Sequence, residues 1–147
     1  MSDIEKVREW IETFPDHQKL DGFRVDYTDA VPNNGGIFPS GLVEVSRTTD
    51  IVGNVTVENQ YNFGLYYVFP KDPGDDVGAA VNADWVMDFQ KWVQDQSIRH
   101  LAPTFGDDPL YERIQAQNGE LFSTDEEGTA IYMVQLSINF TKFYEVN

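Results

Sequence analysis

Ile4, Val7, Ile11 and Phe14 recur at the spacing of one helical face, with Trp10 beside the stripe. Ser2-Asp3-Ile4-Glu5 ahead of them reads as a capping box. In it the Ser hydroxyl accepts the Glu5 amide and the Glu carboxylate reaches back to the Ser amide. Pro15 stops the pattern, so a short amphipathic helix is predicted. The period then changes to two. Phe23, Val25 and Tyr27 alternate with Arg24, Asp26 and Thr28, which predicts a short strand with one apolar face. Val31–Pro39 is rich in Pro, Asn and Gly and predicts a loop carrying Ile37 and Phe38. Those two side chains either tuck onto the domain's own core or stay exposed for a partner, and they count as interface candidates.

Leu42–Arg47 predicts another strand, followed by a turn around Asp50–Asn54. A long strand comes next, with Val55, Val57, Tyr61, Phe63, Leu65, Tyr67 and Phe69 on one face and Asn59 as its single polar member. Pro70-Lys71-Asp72-Pro73-Gly74 ends it. Val81, Trp85, Phe89 and Trp92, flanked by Val86 and Val93, predict a second helix. Its start falls at Asn82 or earlier, at Asp75 or Asp76, and its end near Ser97–His100. Tyr111–Gln117 and Glu120–Ser123 flank Asn118-Gly119, the signature of a tight hairpin. After an acidic turn at Thr124–Gly128, Ala130, Tyr132, Val134, Leu136, Ile138 and Phe140 form a second long strand. The sum is one α+β domain over residues 1–147. It is expected to be a mainly antiparallel sheet with two helices packed on one face.

The other face of the two long strands changes the picture. It reads Thr56, Glu58, Gln60, Asn62 and Gln135, Ser137, Asn139, Thr141. The chain has 10 basic and 25 acidic residues, a net charge of −15, yet this face is almost neutral. Glu58, Gln60, Asn62, Gln135, Ser137 and Asn139 are therefore candidates for a hydrogen-bonding protein interface. The competing account is an ordinary wet face of polar residues that suit strands.

Charge and composition exclude more than they identify. Excess acid repels phosphates, so neither nucleic acid nor an anionic membrane is expected as an adhesive partner. No apolar run is long enough to span a bilayer, and the first residues lack a signal-peptide pattern. A cytoplasmic origin is the expectation. With no cysteine, disulfides, cysteine-ligated metals and cysteine nucleophiles are ruled out. The N-x-T sequons at Asn54 and Asn139 are expected to be chance matches. Asp75/Asp76, Asp107/Asp108 and Glu126/Glu127 lie in turns, where acids serve solvation and capping. His17 and His100 each follow a predicted helix and form no metal-binding motif. There is no nucleophile elbow and no phosphate-cradling loop, so no catalytic, metal or cofactor residues are expected.

Four segments carry a resemblance. They are Tyr61-Asn62-Phe63-Gly64-Leu65-Tyr66-Tyr67-Val68-Phe69-Pro70-Lys71-Asp72-Pro73, Asn82–Val93, Ala102-Pro103-Thr104-Phe105-Gly106-Asp107 and Asp125–Leu136. Together they resemble small minor structural proteins of prophages in Gram-positive gut bacteria, over roughly residues 55–145. The order of elements is also similar to tail-terminator and tail-completion proteins of long-tailed phages. The resemblance implies a non-enzymatic virion protein assembled in the host cytoplasm. Its copies would form a ring, usually of six, that caps the tail-tube protein and docks to the head connector protein. Within the same class the alternative is a minor capsid or head-completion adaptor. From another class it is a cytoplasmic acidic enzyme or small-molecule binder.

Overall fold

The computed structural model describes residues 2–15, 17, 22–25, 34–70, 76–124 and 129–146. Helix α1 spans Asp3–Ile11. Ser2 Oγ accepts the Glu5 N–H at 3.3 Å, while the Glu5 carboxylate is engaged by Arg8 Nη2 at 2.8 Å. Strand β1 is Gly22–Val25, β2 is Asn34–Thr49 and β3 is Val55–Pro70. Helix α2 spans Asp76–Ile98, β4 is Arg113–Thr124 and β5 is Thr129–Tyr144. The five strands lie in the order β1-β2-β3-β5-β4. β1 pairs parallel with β2 at one edge, and every other pairing is antiparallel. The expected α+β domain with a mainly antiparallel sheet is what the chain adopts.

The core forms where the helical stripes meet the odd positions of β3. Val7, Ile11 and Phe14 face Trp85, Phe89 and Val93, and all of them lie over Phe63, Leu65, Tyr67 and Phe69. Trp10 stacks on Trp92 at 4.9 Å between ring centroids, and its Nε1 donates to Gln96 Oε1 at 3.0 Å. Phe14 meets Trp85 and Phe89 edge-on, each at 5.4 Å. Tyr67 completes the cluster against Trp85 at 4.8 Å. A fully buried ring such as that of Phe89 contributes roughly 1.5–3 kcal/mol of transfer free energy. The antiparallel register sets Tyr61 opposite Ile138, Phe63 opposite Leu136 and Leu65 opposite Val134, so both long strands bury the same face.

Four expectations change. First, Asn34–Pro39 is strand, because β3 supplies a continuous ladder that outweighs the local turn chemistry. Gly35 makes this possible: a Cβ there would lie 3.0 Å from Phe23 and 3.1 Å from Tyr67. Pro39 falls at a register shift before Gly41, whose φ is +96°, so the irregularity accommodates both residues. Val31–Asn33 lie outside the described residues. Second, Asn118-Gly119 forms no hairpin. β4 runs straight through it and takes up the extra residues as a bulge between Gln117 and Glu120, with Asn118 at φ +57°. Third, of the two starts expected for α2 the earlier one holds, at Asp76; Asn82 is therefore no N-cap but is buried within the helix and donates from Nδ2 to the Pro70 carbonyl at 3.0 Å. Fourth, Val81 is exposed, and the buried stripe runs through Asn82, Trp85, Val86, Phe89 and Val93. Asp26–Thr28, predicted to extend the first strand, and Asp125–Gly128 of the acidic turn lie outside the described residues.

Candidate functional site

Strand alternation aims Glu58, Gln60 and Asn62 of β3 away from the helices, and the register places Thr141, Asn139 and Ser137 of β5 beside them. Their side chains interlock. Gln60 Nε2 donates to Asn139 Oδ1 at 3.1 Å, and Asn139 Nδ2 donates to Glu58 Oε1 at 3.3 Å. Ser137 Oγ donates to Asn62 Oδ1 at 3.0 Å. Gln135 lies opposite Gly64 and accepts from Asn118 Nδ2 of β4 at 2.8 Å. Gln117 Nε2 donates to Gln115 Oε1 at 2.9 Å on the same strand. The result is a ladder of amides and hydroxyls across three strands. Glu58, Gln60, Asn62, Ser137 and Asn139 are half-buried, whereas Gln135 is exposed. The amides and hydroxyls can exchange partners with an arriving backbone at little electrostatic cost, and Glu58 is the one charged member of the ladder.

The two remaining sequence candidates separate. Ile37 is fully buried in the core, so its side chain is not available to a partner. Phe38 points to the face turned away from the helices, where it is half-buried and meets Tyr66 edge-on at 5.1 Å. Toward that end the face becomes apolar, with Val68 and Ile131 paired across β3 and β5, and Met133 opposite Tyr66.

Sequence reasoning missed the outer part of the β2–β3 hairpin. Leu42, Val43 and Val45 are exposed on β2, Val52 is exposed in the turn and Ile51 is wholly exposed. The turn itself is tightly built: Asp50 Oδ1 accepts from the Val52 and Asn54 N–H groups at 3.0 and 2.9 Å. An apolar pair at the tip of an ordered turn was the available signal. Phe143, Tyr144 and Val146 extend the exposed apolar surface at the same end of the sheet.

Several titratable groups fasten the fold or are buried in it. Tyr61 donates to the Asp3 carboxylate at 2.6 Å, tying β3 to the start of α1. This bond, aided by burial, pushes its phenol up to about 12. Burial raises the Tyr67 phenol, and lowers His17 to about 4. Asp107 Oδ2 accepts the Phe143 N–H at 2.8 Å, and the Glu112 carboxylate accepts the N–H groups of Phe105 and Gly106. His100 closes α2 in the left-handed region, with φ +56°. Among the described residues no group of three or more His, Cys, Asp or Glu side chains could hold a metal ion. Among the same residues no helix is long and apolar enough to cross a membrane. No protein-family model matches the chain, and no curated protein matches it.

Proposed function

We propose that this protein is a non-enzymatic structural component of a phage or prophage virion, a tail terminator. In this reading its copies form a ring, of six subunits as in the proteins it resembles, that caps the tail tube and docks to the head connector. The observation that supports it is the sheet face turned away from the helices: a hydrogen-bonded ladder around the neutral side chains of Gln60, Asn62, Ser137 and Asn139, in a chain with net charge −15. An acidic protein that concentrates amides on one face has a surface suited to protein contact through hydrogen bonds. The charge elsewhere suits a ring whose lumen passes DNA without holding it, since phosphates are repelled. Assembly takes place in the host cytoplasm, and the finished protein sits at the head–tail junction.

The test is co-expression with the cognate tail-tube protein, read by electron microscopy and mass in solution. Capped tubes of uniform length are expected. Gln60→Lys combined with Asn139→Lys is expected to abolish capping while the chain still folds. Tubes that grow identically with and without the protein refute the reading, as does nanomolar affinity for duplex DNA at physiological salt. Rings that bind the head connector and not the tube assign the head-completion role instead.

A further inference from the structure

The two edges of the sheet are unlike, and they complement each other. β1 covers β2 only over Asn34–Ile37, so among the described residues the outer edge of β2 from Phe38 to Thr49 has no strand partner. Unpaired edges of this length, with Leu42, Val43 and Val45 exposed along it, invite pairing or packing. The opposite edge is closed to a further strand at two points: Ser97 Oγ accepts the Ile114 N–H, and Gln90 Nε2 donates to the Ala116 carbonyl. What remains there is a groove of about 580 Å³ between α2 and β4. Its apolar lining includes Met87, Ile98 and Ala116.

Charge separates the two surfaces. The groove holds Lys91 and Arg113 against the single acid Glu112, whose carboxylate is already occupied by two backbone N–H groups. Neither cation makes an ion pair among the described residues. In a chain of net −15 the groove's lining carries a formal charge of +1. The hairpin from Pro39 to Glu58 carries Glu44, Asp50 and Glu58 against Arg47 alone. The two surfaces also lie at the same height. Leu42 pairs with Tyr61, Tyr61 with Ile138 and Ile138 with Ile114, one row running from the apolar edge to the groove. Leu42 and Glu44 face the helix side, as do their partners Tyr61 and Asn59, and the groove opens on that side.

We infer that the occupant of the α2–β4 groove is the β2 edge of a second copy of this chain. Leu42 packs onto Met87 and Ile98, and Glu44 shares its exposed Arg47 pair with Lys91 of the next copy. The contact is head-to-tail, the kind of interface from which rings are built when the rotation between copies closes. It rests on the assembly reading above and names the interface that reading needs.

The natural chain has no cysteine, which makes a clean cross-linking test possible. Leu42→Cys mixed with Gln94→Cys, treated with a short bismaleimide, is expected to give covalent dimers. The double variant is expected to give a ladder of higher species, and Glu12→Cys mixed with Gln94→Cys only background. Lys91→Glu is expected to weaken assembly by roughly tenfold or more, and adding Glu44→Lys to restore it. Assembled rings whose Leu42→Cys and Gln94→Cys pair links no better than the control overturn this interface and leave the assembly reading standing. A chain that stays monomeric even with the tail tube present overturns both.

Discussion

His17 supplies a direct test of how burial controls stability here. Its ring sits edge-on to Phe23 at 5.0 Å, it is 7% exposed, and its Nε2 has no hydrogen-bond partner among the described residues. Desolvation disfavours the imidazolium and lowers the group from its ordinary 6.5 to about 4. Between those values the unfolded chain binds a proton that the folded chain refuses, so stability falls as pH falls. The contribution is fully present above 6.5 and is lost progressively as pH drops toward 4. The linkage relation gives a loss of about 2 kcal/mol between about pH 8 and pH 5, approaching about 3 kcal/mol at lower pH. Replacing His17 by Leu removes the titration with little change in volume. The assay is urea unfolding followed by tryptophan fluorescence across this pH range, for both proteins side by side. Carboxylates titrate alike in the two chains and cancel in the difference. His17→Leu is expected to gain about 2 kcal/mol on the natural chain between about pH 8 and pH 5. Parallel profiles, with a difference constant to within about 0.5 kcal/mol, refute the argument that this imidazole is held neutral by burial.

Two further substitutions test how the peripheral segments are fastened. Gly106 lies against β5, where an added Cβ would press on the Thr141 carbonyl oxygen and approach its nitrogen to 2.9 Å. Both obstacles are backbone, so Gly106→Ala is expected to lower the urea-derived stability by roughly 1–3 kcal/mol. A neutral result would show that this segment moves away from β5 freely. Tyr61→Phe removes the bond to the Asp3 carboxylate and should cost about 1–2 kcal/mol, less than for a fully buried charged pair. It should also remove one phenol titrating at about 12 from the alkaline absorbance curve. An unchanged curve would mean that Tyr61 titrates elsewhere.

The sequence by itself determined the elements whose burial repeats strictly. The α1 stripe of Val7, Ile11 and Phe14, the long alternation of β3 and that of β5 each select one period and one face, whatever the neighbours are. The neutral polar face was legible for the same reason, since alternation fixes which residues share a side before any strand is paired. The tertiary structure decided what local chemistry leaves open. Gly35-Gly36 and Pro39 read as loop, yet a ladder of fourteen residue pairs with β3 and the packing of Phe23 and Tyr67 over Gly35 make them strand. Asn118 alone of the Asn118-Gly119 pair keeps the positive φ of a turn, and pairing to β5 on both sides converts the pair to a bulge. Which Ile and Phe of a strand are covered depends on which neighbours exist, so Ile37 vanished into the core while Leu42 and Ile51 stayed outside. Exposed edges and grooves between distant elements have no sequence period at all. They arise only when strand order is set, and strand order comes from contacts between residues far apart in the chain.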